Sequence, residues 1–509
     1  MQTLPTGEQE FINIRNRNSL YIDKTAFAYQ LMTSHNYYFL SRPRRFGKSL
    51  FVNTLKEIFL GNKQHFKGLF IEDKIEWKKY PVIYIDFSKI DFRNAGLYNA
   101  IKIELSRIAK SYKILLEENS LGLKFKELIE KLHESTGEQV VILVDEYDKP
   151  ITEYLENGKV ASEQRDILKS FYSIIKGSSA HLRFFFLTGI SRFSKVSVFS
   201  DLNNLVDLTF QKKYNNICGY TPEDLNTHFA DRITLAAQEN KMSIEECKAK
   251  IKEWYNGYSW DGENRVYNPF SILNFFGDNT FKNYWFATGT PTFLIKLLRP
   301  SFRFNLENIP VSPAAFDNYK VEKLEPIALL FQTGYLTVKS ISATNTYILD
   351  YPNREVENSL MQYLLVDYAR KSDSAIIYDS IISSIQNHNL ELFIETMNLL
   401  FSSIPSHLFI RKKESYFHSI LFIALKLAGF YISAEVNQAV GRLDAVLGYQ
   451  NRIYVMEFKL DESADVALAQ IHKRNYAKAY LNQNKEIYLL GINFSSVLKK
   501  VEDWKIEKI

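Results

Sequence analysis

The sequence predicts an α/β protein with a parallel sheet built round a phosphate-binding loop. A helical middle region with a winged-helix-like unit follows, and a second, smaller α/β domain closes the chain. Three observations predict this. Continuous apolar runs near residues 37, 81, 139 and 183 are separated by stretches of helical spacing, the pattern of parallel strands covered on both faces. A Gly-Lys-Ser sequence follows the first of these runs directly. Near the C-terminus an apolar helix is followed by three short strand patterns that carry carboxylates. The expected division is 1–280, 281–400 and 401–509.

The first element runs from Tyr37 to Leu50 and reads Y-Y-F-L-S-R-P-R-R-F-G-K-S-L. Its aromatic, apolar start is that of a buried strand. A basic turn with Pro43 and Gly47 follows, and helical periodicity resumes from Lys48 to Leu60, stopping at Gly61. Strand, tight turn and helix in this order cradle a nucleoside triphosphate. Backbone N–H groups of the turn, at Arg45, Phe46 and Gly47, face the phosphates where the helix dipole favours negative charge. Lys48 would reach the β- and γ-phosphates of ATP, and the Ser49 hydroxyl would ligate Mg²⁺. The usual pattern has glycine five positions before Gly47, where this chain has Arg42. The arginine either reshapes the loop or reduces its fit to phosphate.

At 509 residues the chain has room for two or more domains. With 46% hydrophobic and 24% charged residues it can bury a sizeable core and is not a disordered chain. A net charge of +5 permits an anionic partner without demanding one. The two cysteines, Cys218 and Cys247, lack metal-ligand spacing, which argues against a disulfide framework or a zinc site. The N-terminus reads as no signal peptide. The most apolar stretch, Ile420 to Val436, is interrupted by Lys426, Gly429 and Glu435, and reads as a buried helix followed by a strand rather than a membrane span. A cytoplasmic protein without a membrane partner is expected.

After the loop come a strand over 81–87, helical spacing from Ala95 to Asn119, and a strand from Gln139 that ends in Asp145 and Glu146. In parallel sheets ligands bind beyond the carboxyl ends of the strands, so this carboxylate pair falls where a phosphate loop needs its acidic partner. Asp145 would hold Mg²⁺ and Glu146 would orient or deprotonate the attacking water. The next strand, Arg183 to Ile190, leads into Thr188-Gly189-Ile190-Ser191-Arg192. There Thr188 could sense the γ-phosphate. Arg192 either supplies positive charge to the transition state or pairs with a surface carboxylate. The Tyr- and Trp-rich turns of 219–271 read as packing corners. A capped helix over 284–291 and a hairpin from Gly334 to Pro352 suggest the winged-helix-like unit, and 354–410 reads as helical.

A second constellation lies in the last part. Glu414 opens an apolar helix, strands follow from Tyr431, Gly441 and Arg452, and the last two are joined by the turn Gly448 to Asn451. The hairpin brings Asp444 and Glu457 to one end of the sheet, with Lys459 on the same face as Glu457. Two close carboxylates call for a cation, and oxygen ligands suit Mg²⁺ or Mn²⁺. A lysine beside a metal-bound water can help deprotonate it or stabilise developing charge on phosphorus. Glu414 could add a carboxylate, and Gln470 and Tyr476 could orient the lysine or a nucleic acid.

Taken together these residues resemble the AAA-ATPase-like proteins that carry a C-terminal domain of the PD-(D/E)XK nuclease superfamily. The N-terminal markers are Tyr21-Ile22-Asp23-Lys24-Thr25, Arg42-Pro43-Arg44-Arg45-Phe46-Gly47-Lys48-Ser49, Val144-Asp145-Glu146-Tyr147-Asp148 and Thr188-Gly189-Ile190-Ser191-Arg192-Phe193. The C-terminal markers are Gly441-Arg442-Leu443-Asp444, Glu457-Phe458-Lys459, and Gln470 with Tyr476. The resemblance covers nearly the whole chain. It implies a P-loop NTPase fold followed by a restriction-endonuclease-like domain, makes Arg42 a family feature, and assigns Asp444 and Glu457 as metal ligands and Lys459 as catalytic.

The expected function is an ATP-binding, ATP-hydrolysing protein coupled to a Mg²⁺-dependent nuclease acting on nucleic acid, with DNA favoured over RNA. The alternative is a nucleotide-gated signalling or binding ATPase whose nuclease-like domain binds without cleaving. A homo-oligomer is compatible with either.

Overall fold

Strand β1 (Tyr37–Ser41) is buried along its whole length, as its unbroken apolar run predicts. The structure is a computed structural model that describes residues 1–192, 198–199, 202, 204–285, 306–316, 326–369, 375–402, 414–428, 430–438 and 441–509. Two compact units form, one from Met1–Leu294 and Leu306–Val356, the other chiefly from Glu357–Ile509.

In the first unit the phosphate-loop turn leads from β1 into helix α1 (Lys48–Phe59). Strand β2 (Val82–Asp86), helices α2 (Leu97–Ser111) and α3 (Leu121–Thr136), strand β3 (Val140–Asp145), helix α4 (Gly158–Gly177) and strands β4 (Leu182–Gly189) and β5 (Val206–Asp207) complete the α/β layer. The sheet order is β2-β3-β4-β1-β5, and every neighbouring pair is parallel. This order sets the end of β4 between the loop after β1 and the carboxylates after β3. The helical spacing expected to Asn119 ends at Ser111. Lys113 is in the left-handed region, and the Tyr112 hydroxyl is tied to the backbone of Val82, which turns the chain back to the sheet.

Residues 222–278 form a helical layer with its own core of Phe229, Ile233, Tyr255 and Phe275. It ends in helix α5 (Pro269–Asp278), whose Asn268 side chain caps the first turn. Strands β6 (Ile309–Val311), β7 (Thr337–Ile341) and β8 (Tyr347–Asp350) make an antiparallel sheet in the order β6-β8-β7. The hairpin expected over 334–352 is therefore present, with an added third strand. The helix expected over 284–291 falls, from Phe286 onward, outside the described residues. Helix α6 (Arg354–Ala369) begins in the first unit and continues beyond Val356.

In the second unit, helices α7 (Leu390–Ser402) and α8 (Glu414–Leu427) precede strands β9 (Tyr431–Gln438), β10 (Gly441–Tyr449) and β11 (Arg452–Leu460). Helix α9 (Ala464–Arg474) and strands β12 (Glu486–Ser495) and β13 (Lys500–Lys508) follow. The order is β13-β12-β11-β10-β9. All pairs are antiparallel except β11–β12, which α9 connects. Among the described residues no helix is long and apolar enough to cross a membrane.

Candidate active sites

The loop after β1 reaches its shape through two left-handed residues, Arg45 (φ +64°) and Gly47 (φ +87°), the latter at the N-terminus of α1. Arg42 explains the missing glycine. Its guanidinium is fully buried and donates to the carbonyls of Ser41 (2.8 Å), Thr209 (3.0 Å) and Tyr214 (3.0 Å), and it stacks 3.8 Å from the Trp260 ring centre. Burial lowers its pKa to about 10. It pins the base of the loop and does not line the cleft. The Phe46 ring is likewise in the core, edge-on to Tyr258 and Trp260, so only its backbone remains to meet a ligand.

The loop opens on a cleft of about 540 Å³, to which Arg44, Arg45, Lys48, Ser49 and Glu146 contribute. Lys48 is buried, and its Nζ donates to the Pro43 carbonyl at 2.9 Å. Burial pulls the lysine pKa down, and the charges of Glu146 and Asp145 oppose it. Asp145, buried at the end of β3, has its pKa pushed up to about 6. Burial is the main cause and Asp86, its register partner on β2, adds to it, while Ser49 and Lys48 pull the other way. Its Oδ1 accepts from the Glu146 N–H, and its buried Oδ2 has no hydrogen-bond partner among the described residues. The Thr188 hydroxyl, on the neighbouring strand end, is buried in the same state. Both atoms suit a divalent ion and its hydration shell, because buried oxygens left without partners are costly.

Arg192 departs from the transition-state role. Its Nε and Nη2 lie 3.1 and 2.8 Å from Asp207 Oδ2, its guanidinium sits over the Phe210 ring, and it does not line the cleft. It pairs instead with a largely buried carboxylate, and the pull of a charge-assisted pair stacked on an aromatic ring is the reason.

Sequence reasoning gave no role to several residues of the site. Asp148 is buried and accepts from the N–H groups of Ile190 and Ser191 and from the Ser191 hydroxyl, clamping the β3 exit to the β4 exit. Beside it, a Cβ on Gly189 would lie 2.5 Å from Asp148 Oδ1 and 2.6 Å from the Tyr147 ring. Gly189→Ala is expected to cost about 1–3 kcal/mol through overpacking, read as a lowered melting temperature. The cleft is also walled by Pro5, Gly7, Tyr220, Phe270 and Leu273. Phe270 falls in a stretch read as a packing corner. The Asn-Pro start of α5 was a visible signal of a helix, but nothing local indicated that its first turn faces the loop.

Helix α5 is held by a buried carboxyl. Glu355 Oε2 accepts from the Ser271 hydroxyl and Oε1 from the Trp285 N–H, each at 2.7 Å, while the Trp285 indole donates to the Arg44 carbonyl of the loop at 3.4 Å. Burial raises the Glu355 pKa to about 7. Its folded pKa thus lies above the unfolded value of about 4.3. The stabilisation is fully present below that value and is lost as pH rises through about 7, on the order of 3 kcal/mol. In thermal melts from about pH 5 to about pH 8, Glu355→Gln is therefore expected to gain on the wild type as pH rises.

In the second unit the register that pairs Ala445 with Met456 sets Asp444 beside Glu457. Asp444 Oδ2 accepts from the Phe458 N–H at 2.8 Å. Glu457 is 1% exposed, and its Oε1 accepts from Lys459 Nζ at 3.3 Å and from Gln470 Nε2 on α9. Burial first and the Asp444 charge second raise its pKa to about 7, and Lys459 opposes them. Its buried Oε2 has no partner among the described residues. Tyr476 is packed in the core under the sheet. The Glu414 side chain lies outside what is described. Among the described residues no cluster of three or more His, Cys, Asp or Glu side chains forms a metal site. Two carboxylates with an open oxygen still match Mg²⁺, which keeps several waters and takes substrate phosphate as a ligand.

Residues 5–199 match a family model described as a predicted AAA-ATPase, and residues 412–504 match one for the PD-(D/E)XK nuclease superfamily. The chain is also 38% identical over 525 residues, covering 99% of each chain, to a protein of Azotobacter chroococcum mcd 1 described as an uncharacterized protein in the vnfD 5' region. The chain belongs to the AAA-ATPase-like family with a PD-(D/E)XK nuclease domain. In this AAA-ATPase-like protein the first match contains the cleft residues from Pro5 to Asp148 and ends past Arg192. The second spans Asp444, Glu457, Lys459 and Gln470.

Proposed function

We propose that this AAA-ATPase-like protein binds ATP in the first unit and cleaves nucleic acid, DNA by preference, with a divalent ion in the second, in the cytoplasm. The observation that carries the nuclease reading is the convergence of Asp444, Glu457 and Lys459 at one sheet end, with Glu457 Oε2 buried and open. Asp444 and Glu457 would hold Mg²⁺, which supplies an activated water and charge neutralisation at the scissile phosphate. Lys459, now paired with Glu457, would donate to the developing negative charge, and Gln470 would steer the glutamate. In the first unit the loop backbone and Lys48 would bind the phosphates of ATP. Ser49 and Asp145 would hold its Mg²⁺, Glu146 would position water, and Thr188 would contact the γ-phosphate.

Glu355, the second residue of helix α6, bonds to Ser271 on the helix that walls the cleft, so a change at the cleft would be felt at the start of α6. One observation favours a second reading for the first unit. With Arg192 committed to Asp207, the cleft is better equipped to bind ATP than to hydrolyse it quickly, as in a nucleotide-gated switch. The test is cleavage of DNA and RNA, single- and double-stranded, in Mg²⁺ with and without ATP. Metal-dependent product that is lost in Asp444→Ala supports the nuclease. ATP-dependent association without product supports the binding alternative.

A further inference from the structure

The turn between β12 and β13 is built unlike a solvent turn. Such turns are ordinarily polar, with Gly, Asn, Asp or Ser at the tip, but here Val497 and Leu498 stand at the tip, 79% and 53% exposed. Lys499 and Lys500 follow them directly.

The turn is held firmly. Ser496 N–H donates to Asp461 Oδ1 at 2.7 Å, Leu498 N–H to Ser495 Oγ at 3.2 Å, and Lys499 N–H to the Ser495 carbonyl at 2.8 Å. On its far side Val501 exchanges two hydrogen bonds with the Asn398 side chain of α7. Apolar side chains on a rigid tip are not a slack loop that failed to pack.

Its place in the fold gives it a partner. Strands β11 and β12 are parallel, and Lys459 lies opposite Asn493, so the turn leaves the sheet at the end that bears Asp444, Glu457 and Lys459. Asp461, which anchors the turn, is two residues beyond Lys459, just past the end of β11. Exposed aliphatic side chains followed directly by two lysines match one chemistry well. The apolar groups can enter between stacked bases, as wedges do in proteins that kink a duplex, and the ammonium groups can meet the phosphates.

We propose that Val497 and Leu498 form a wedge that unstacks a base step of duplex DNA beside the cleavage site, with Lys499 and Lys500 holding the adjacent backbone. This rests on the nuclease reading above and adds how the substrate is gripped. The wedge presents two aliphatic side chains to a base step, and its register to the metal carboxylates is set by the Ser496–Asp461 bond.

The test uses the full-length protein with a duplex carrying 2-aminopurine, in Ca²⁺ in place of Mg²⁺ to hold back cleavage, and the single strand as comparison. Wild type is expected to raise the fluorescence of the duplex probe as the base unstacks. Val497→Ser with Leu498→Ser, both at exposed positions, is expected to lose that rise and to bind the duplex roughly tenfold or more weakly, with the single strand much less affected. Val497→Met with Leu498→Met should restore both readouts. Absence of the fluorescence rise in wild type, or a serine variant that binds and unstacks the duplex as wild type does, overturns the wedge. The nuclease reading is judged separately in Mg²⁺. If Asp444→Ala cuts like wild type that reading fails, while the fluorescence and binding results still decide the wedge.

Discussion

Asp444→Ala is expected to abolish metal-dependent cleavage, with a fall in rate of roughly 10²–10³ or more, while the second unit stays folded. The carboxylate accepts from the Phe458 N–H and is only half-buried, so little apolar packing is lost with it. The sharper variant is Lys459→Met, which keeps the aliphatic stem and removes the ammonium. Without that charge the Glu457 carboxyl, already raised to about 7 by burial and Asp444, rises further, because the charge and hydrogen bond of Lys459 both lower it. Lys459→Met should therefore lose cleavage and also need a higher pH, or more metal, to load the site. Single-turnover cleavage over a range of Mg²⁺ concentrations separates these effects. A variant that cuts at the wild-type rate and the wild-type metal requirement would remove Lys459 from the site.

Lys48→Met is expected to be the other large loss. A hydrogen bond from an ammonium to a charged phosphate contributes about 1.5–3 kcal/mol, or roughly ten- to a hundredfold in ATP affinity. Stability should move little, since burying an ammonium costs solvation that burial's downward pull on its pKa already reveals. Against that, the Pro43 carbonyl loses its donor, and Asp145 and Glu146 lose a counter-charge. Titration of a fluorescent ATP analogue alongside a thermal melt reads both. Loss of ATP binding with an unchanged melt places Lys48 on the nucleotide, whereas unchanged affinity would remove Lys48 from the nucleotide site.

The sequence was legible wherever neighbours in the chain are also neighbours in the site. The strand–turn–helix at Gly47-Lys48-Ser49, the strand that delivers Asp145, and the hairpin that sets Asp444 by Glu457 and Lys459 all follow from local periodicity. Strands β12 and β13 were not read, and with them the turn at Val497. Nothing in the period of 486–508 says that β12 lies parallel to β11. Arg192 shows the limit differently. Its place after β4 was right, but its direction depends on Asp207, 15 residues further on.

By itself the sequence determined the class of fold and the two family signatures, because phosphate loops and carboxylate–lysine strands are short patterns tied to backbone geometry. Only the tertiary structure decided which arginine pins the loop, which closes on a carboxylate, and how residues as distant as Pro5, Tyr220 and Phe270 wall one cleft. Those choices depend on burial and on partners far away in the chain, and the cost of an unpaired buried charge or oxygen is settled only when the sheet and its helices have packed.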